Sequence, residues 1–416
     1  MPILGESRRT GAKVKTTPLT GPLVTWGVTR LFLLLSVYGI LPFPGPDVTT
    51  DVSVIYRAWY EVLRTGTFPL HDVTWQYPPA AALPILAPAL LPFLDYASAF
   101  FLLAFAADLA VLTLLLNAAH RPGRTRRGVW VWVAGVPLLG PTAYSRYDIL
   151  VTAVAVAALV AGARRPRVMG ALIGFGALLK VWPALLLAGV ARRSTWLAAT
   201  LTTALLLAAS ASVPGAFSFI TSQRDRGTEV ESLGALVFHM ARHFGWPGEV
   251  RFVYGSLEFT GPGVEAASTA ALFLTSVAFG WLLLWRLMAR RYSLHTPADA
   301  AFTAVLLFTL SSRVISPQYL VWLIGTAAVC LCFRATRMGL PATLTLLAAG
   351  VTVAEFPIRF DDVVESTPLG IALLLIRNGL LITATLTACA RLWRSTSPRP
   401  KPLPLPTQPT RTKVPS

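Results

Sequence analysis

Apolar residues fall into runs at about 23–43, 96–118, 129–143, 149–163, 195–214, 266–289, 298–312, 319–333, 340–356 and 367–390, and most charges lie between them. A helix needs roughly 20 apolar residues to cross a bilayer. Several runs are shorter, which calls for a thin membrane or for polar helix ends that line a cavity. The pattern predicts an all-α polytopic membrane protein of about 10 full spans. Two stretches break the alternation. Residues 168–191 are apolar between basic flanks, with Lys180 and Pro183 in the middle. They predict a broken helix hairpin, two half-length helices with Lys180 at the apex. Residues 78–94 are apolar and Pro-rich and are expected to form an interfacial helix rather than a span. No internal repeat of the kind common in transporters is evident.

Composition strengthens this picture. The chain is 54% hydrophobic and 13% charged, with a mean hydropathy of +0.61. A soluble domain carries about 25% charged residues, so lipid must be the solvent for most of this surface. Cys330, Cys332 and Cys389 all sit inside apolar runs and suggest neither a disulfide framework nor a metal site. His239 and His243 are four apart but lack a third ligand, so no metal is expected. No nucleotide loop or other cofactor motif is present, and no cofactor is expected. Three regions result: a cytosolic basic N-terminal segment at 1–20, a transmembrane domain at 21–393, and a Pro-rich basic tail at 394–416 expected to be disordered and cytosolic. The basic stretch Arg8 to Lys15 leads into the run at Leu23 with no small-residue cleavage site, which reads as a first span rather than a removable leader.

The net charge of +17 raises the question of nucleic acid. The placement of the charges answers it against nucleic acid and for a bilayer. If the N-terminus is cytosolic and the spans alternate, basic clusters at Arg8–Lys15, Arg121–Arg127, Arg164–Arg167, Arg192/Arg193, Arg286–Arg291 and Arg334/Arg337 all fall on the cytosolic side. All acidic residues but Glu6, Asp108 and Asp299 fall at the opposite face.

That outer face also collects the unusual chemistry. Its corners carry Asp47 and Asp51; Arg146 and Asp148; Arg226, Glu229 and Glu231; Arg313, Ser316, Gln318 and Tyr319; and Arg359, Asp361 and Asp362. Ionised groups at membrane helix ends turn into a cavity and pair with each other or with a ligand. Cations suit a phosphate or pyrophosphate, a carboxylate suits a general base, and aromatics suit a sugar face or a prenyl tail. Each residue also has a structural alternative. Asp51 would cap the helix starting near Val52, Arg146 and Asp148 would pair locally, and Lys180 and Arg313 would snorkel to the interface. Mid-span Arg377, beside Asn378, would pair with Asp108 on another helix.

Five segments in order resemble a known family: DVSVIYRAWYEVLRTGTFPLHDVTWQYPP, RYDIL, GALIGFGALLKVWPALLLAG, RGTEVESLGAL and SRVISPQYLVWL. The chain is similar, from about residue 25 to 390, to polyprenyl-phosphate-sugar-dependent glycosyltransferases of the GT-C superfamily, most closely glycosyltransferase family 87, the actinobacterial α-mannosyltransferase group. The resemblance implies a GT-C-like helix bundle and a polyprenyl-phosphate monosaccharide donor, with mannose foremost. It further implies a glycolipid or cell-envelope glycan acceptor and inverting transfer on the extracytoplasmic face. It places the catalytic base at Asp51, with Asp47 as competitor. It assigns Lys180, Arg313, Gln318 and Tyr319 to the donor phosphate and lipid head, and Asp47, Arg146, Asp148, Arg226, Glu231 and Arg359 to the sugar or acceptor. The chain departs from the pattern with RYD for RFD and with Glu229 where a glutamine is common. The rivals are a polyprenyl-phosphate-arabinose transferase of the same fold, a polyprenyl-lipid flippase or transporter, and a non-enzymatic scaffold.

Overall fold

The structure is a computed structural model that describes residues 19–70, 72–224 and 226–397. The expected N-terminal segment, apart from its last residues, and the tail beyond Ser397 lie outside the described residues. Helix α1 (Thr20–Val37) opens the bundle, and a π-helical turn (Asp51–Tyr56) leads into α2 (Arg57–Leu63). The stretch expected to lie at the interface folds as α3 (Ala82–Leu86) between two 3-10 turns, Pro79–Ala81 and Ala87–Leu90. Then come α4 (Tyr96–Ala119), α5 (Arg127–Gly135) with a 3-10 extension to Ala143, α6 (Asp148–Ala161), α7 (Pro166–Leu179) and α8 (Arg193–Ser210). Short helices α9 (Phe219–Arg224) and α10 (Ala235–Arg242) follow. The chain ends in α11 (Val264–Met288), α12 (Thr296–Ser311), α13 (Tyr319–Leu331), α14 (Gly339–Val353), α15 (Phe360–Val364) and α16 (Pro368–Thr396).

Every apolar run is helical. Among the described residues, five helical stretches are long and apolar enough to cross a membrane by themselves: α1, α4, α11, the stretch Gly339–Ile358 and α16. The shorter apolar helices include α12 and α13, and these are the inner ones. All residues of α13 from Leu320 to Leu331 are buried. A helix apolar all round belongs inside a bundle, and one helix here shows the converse. Only 17% of the most apolar window of α11 is covered by the rest of the protein, so its Phe273, Leu283 and Leu287 are left for lipid.

Local chemistry sets several boundaries. Asp95 accepts from the Ser98 amide and starts α4, and Thr367 accepts from Gly370 and starts α16. Pro166, Pro297 and Pro368 fill first-turn positions where no amide is needed. The broken hairpin is present: α7 stops at Leu179, Lys180 is extended, and a 3-10 segment runs from Trp182 to Gly189. Helix α7 packs closely on α8 because Gly170 and Gly174, one turn apart, face it. A Cβ at Gly170 would run into the Thr195 carbonyl oxygen, and one at Gly174 would meet the Ala199 carbonyl oxygen at 2.5 Å.

One feature departs from the all-α expectation. A small antiparallel sheet of β1 (Thr228–Glu229), β2 (Glu249–Val253) and β3 (Ser256–Thr260) has the order β1-β3-β2. Tyr254 and Gly255 form the two-residue turn of its hairpin, both with positive φ.

Candidate functional site

A cavity of about 460 Å³ is lined by residues of six segments: the 51–59 segment, the 74–78 loop, the 180–182 break, the stretch that bears Phe219, Ile220 and Arg226, the tip of the β2–β3 hairpin and the 312–319 corner. Asp51 lies in the first of these. Its Oδ2 is 2.8 Å from an Arg146 guanidinium nitrogen, and its side chain is one-third exposed. Arg146 also donates to the carbonyls of Val48 (3.0 Å) and Ser145 (2.8 Å), which fixes the guanidinium. Asp51 is therefore not a cap: Thr50 precedes the π-helical turn, and Asp47 makes the local turn bonds. The Asp47 Oδ1 accepts from the Thr49 amide at 2.8 Å and from its hydroxyl at 2.7 Å. Asp47 is exposed and does not line the cavity.

Lys180 also lines the cavity. Its ammonium is 2.7 Å from Asp148 Oδ1, and Trp322 Nε1 donates to the same oxygen at 2.6 Å. Four rings surround the ammonium, with centroids at 5.0 Å (Trp322), 5.2 Å (Tyr147) and 5.4 Å (Tyr77 and Tyr319). Lys180 does not snorkel, and Arg146 and Asp148 do not pair with each other. Each pairs across the fold, to Asp51 and Lys180 respectively. Tyr319 stacks on Trp322 at 3.9 Å, and Trp182 stacks on it at 5.2 Å.

Arg226 is held by Glu258 (3.3 Å) and by the Ser256 hydroxyl (2.7 Å), both on β3, and it lines the cavity. Tyr77 lines the cavity, and burial in the loop raises its hydroxyl above its ordinary range. Arg313 lines the cavity and donates to the Ser268 hydroxyl at 3.2 Å. Its carbonyl accepts from the Glu229 amide at 3.1 Å. The Glu229 carboxylate takes the Ile315 amide at 2.6 Å and the Ser316 hydroxyl at 2.8 Å, which pins the corner bearing Arg313 and Gln318. Gln318 and Tyr319 both line the cavity.

Besides Asp47, two further expected residues stand elsewhere. Arg359 is exposed before α15 and does not line the cavity. Glu231 is buried behind it, where burial and then the neighbouring Glu355 push its carboxyl well up. Glu355 and Arg377 lie at ion-pair distance (3.2 Å), without the alignment of a hydrogen bond. Arg377 donates to the Glu231 carbonyl. Arg377 thus does not pair with Asp108. Asp108 binds Arg30 at 2.8 Å and accepts from Trp26, Trp132 and Tyr144. Arg30 lies within the first apolar run, where no neighbouring residue points to Asp108 as its partner. Of the four rings around Lys180 the sequence singles out Tyr319 alone, although Tyr147 and Trp322 lie in the RYDIL and SRVISPQYLVWL segments. An apolar or aromatic residue beside a motif does not by itself announce a partner.

The cavity pairs a partly exposed carboxylate with three cations, Lys180, Arg226 and Arg313, among aromatic rings. Such a set can take up a proton while stabilising an anionic oxygen. Searches of curated proteins and of solved structures give no match. The model of glycosyltransferase family 87 matches residues 75–317, more than half of the chain, including Tyr77, Lys180, Arg226, the hairpin and Arg313 but not Asp51, Gln318 or Tyr319. With its apolar helices, this long match makes the chain a membrane glycosyltransferase that belongs to glycosyltransferase family 87.

Proposed function

We propose that the protein transfers a sugar, mannose foremost, from a polyprenyl-phosphate donor to a hydroxyl of a lipid-linked or cell-envelope acceptor. The observation that carries this reading is the shared cavity: Asp51 with Lys180, Arg226 and Arg313 around about 460 Å³. Transfer takes place at the end of the bundle away from the basic clusters, which is the extracytoplasmic face under the rule that keeps Lys and Arg inside. Arg146 holds Asp51 Oδ2, and Oδ1 takes the proton of the acceptor hydroxyl. The acceptor oxygen attacks the anomeric carbon opposite the phosphate, the carbon–oxygen bond to phosphate breaks, and the phosphate keeps the electron pair. Lys180, Arg226 and Arg313 stabilise that charge, so the leaving group needs no proton. The aromatic rings around Lys180 offer faces for the sugar or the first prenyl units.

The test is transfer by the purified protein from radiolabelled polyprenyl-phosphate mannose to cell-envelope lipids. Asp51→Asn is expected to lower the rate by roughly 10²–10⁴-fold with little loss of stability. Full transfer by the variant would remove Asp51 as base. Transfer from the arabinose donor instead would change the sugar, and none from any polyprenyl-phosphate sugar would favour a flippase or scaffold.

A further inference from the structure

A second cavity, of about 440 Å³, lies among the α6–α7 corner, the turn into α8 and the turn into α12. It sits at the other end of α7 from Lys180. Two long helices, α8 and α12, begin at its wall, and neither N-cap side chain satisfies a first-turn amide. At α12 the Thr296 amide is taken by the Ser293 carbonyl and Pro297 has none, so the electropositive end at the cavity is that of α8. Arg192, the N-cap of α8, stands exposed at the rim.

A second observation is independent of the helix ends. Thr195 lines the cavity and is only 1% exposed, yet its hydroxyl has no hydrogen-bond partner among the described residues. A buried hydroxyl left unmatched carries the cost of its lost hydration, and a ligand oxygen would remove that cost. The remaining wall is apolar, with Leu159, Met169 and Phe333, and Leu294 at the mouth is 77% exposed. Asp299, next to the lining Ala298, does not oppose an anion directly. It is buried, and its carboxylate accepts from the Thr336 hydroxyl. Arg164, Arg165 and Arg193 stand exposed around the same corners.

We propose that this cavity binds the phosphate headgroup of an anionic phospholipid from the leaflet on the basic side. Thr195 and the first amides of α8 bond the phosphate oxygens, and Arg192 balances the charge. An acyl chain lies over Leu294 and the apolar wall. Basic pockets between membrane helices are suited to such headgroups, and the mixture of one buried hydroxyl, one helix end and apolar surface favours a lipid over a free ion.

Thermal unfolding of the full chain in detergent tests this, with titration of phosphatidylglycerol, phosphatidylcholine of the same acyl chains, or inorganic phosphate. Phosphatidylglycerol is expected to raise the midpoint saturably, and the other two are not. Thr195→Val, which keeps the packing, is expected to weaken the apparent affinity roughly fivefold. Arg192→Glu is expected to weaken it more than tenfold, while Arg167→Glu, on the same face but outside the cavity lining, leaves it unchanged. The midpoint without lipid reports whether each variant folds. An equal shift with phosphatidylcholine, or a full phosphatidylglycerol response in both Thr195→Val and Arg192→Glu, would overturn the proposal. A shift by inorganic phosphate that Arg192→Glu abolishes would reassign the cavity to a free anion and overturn the lipid.

Discussion

Lys180 carries two burdens that a single substitution confounds. It faces the cavity, and it also neutralises Asp148, whose side chain is only 2% exposed. Removing one partner of a buried pair strands the other and costs about 3–5 kcal/mol. Lys180→Met is therefore expected to lower the thermal midpoint as well as transfer. The double variant Lys180→Met with Asp148→Asn separates the effects. The amide that replaces the carboxylate keeps an oxygen for Trp322 Nε1, which lies 2.6 Å from Asp148 Oδ1 in the parent, and leaves no unpaired charge. Its midpoint is expected to return most of the way, while donor binding and transfer stay low. Recovery of transfer along with stability would make the lysine purely structural. Asp108 provides a contrast, because none of its four donors, Trp26, Arg30, Trp132 and Tyr144, lines the cavity.

The elements behind the cavity depend on close approach and on a neutral imidazole. Gly174→Val would push a side chain against Ala199 and Thr203 of α8. A loss of roughly 1–3 kcal/mol is expected, with loss of transfer, since α7 ends at Lys180. Gly280→Val on α11, where a Cβ meets nothing within 4 Å, is the matched control. Helix α10 docks through His239. Because the Val230 carbonyl can only accept, Nε2 carries the proton (2.8 Å) and Nδ1 accepts from the Ser366 hydroxyl (2.7 Å). Burial pushes this imidazole down to about 4, against about 6.5 in an unfolded chain. Above pH 6.5 both states are neutral and His239 adds no pH dependence. Between about pH 6.5 and 4 the unfolded chain binds a proton that the folded one refuses, so stability falls, by up to roughly 3 kcal/mol. The Glu231 carboxyl, raised in the fold, acts with the opposite sign, so the comparison must be with His239→Gln. That variant is expected to lose less midpoint between pH 7 and pH 5 than the parent. Much of this level was legible in advance: a lysine inside an apolar run signalled the break after α7. The sheet was not, because β1 is two residues long and its partner strand begins only at Ser256. Neither was the Arg30–Asp108 pair, whose members are 78 residues apart.

At the scale of the whole molecule, the charge pattern becomes a geometric one. The Arg334 amide donates to the Gly123 carbonyl at 3.1 Å, and the Arg290 and Arg291 amides both reach Thr396. Arg286 bonds the carbonyls of Ala188 and Val190, and Arg391 bonds that of Arg337. Basic clusters far apart in sequence thus meet at one end, while Asp51, Lys180 and Arg226 gather about the length of α7 away, roughly 20 Å at 1.5 Å per residue. The sequence pattern could sort the residues into two faces but not pair them across the cavity, since pairing depends on which helices become neighbours. The proposed orientation puts the basic end in the cytosol, on the preference of Lys and Arg for that side, and it is open to direct measurement. Cys389→Ala removes the one native thiol that is not fully buried. In that background Glu61→Cys marks the end with the cavity, and Arg165→Cys marks the basic end; both side chains are exposed. An impermeant maleimide added to intact cells is expected to label the first, and to label the second only after the membrane is opened. Labelling of Arg165→Cys in intact cells would invert the protein and place the Asp51 cavity in the cytosol. The donor would then have to be presented from the other leaflet.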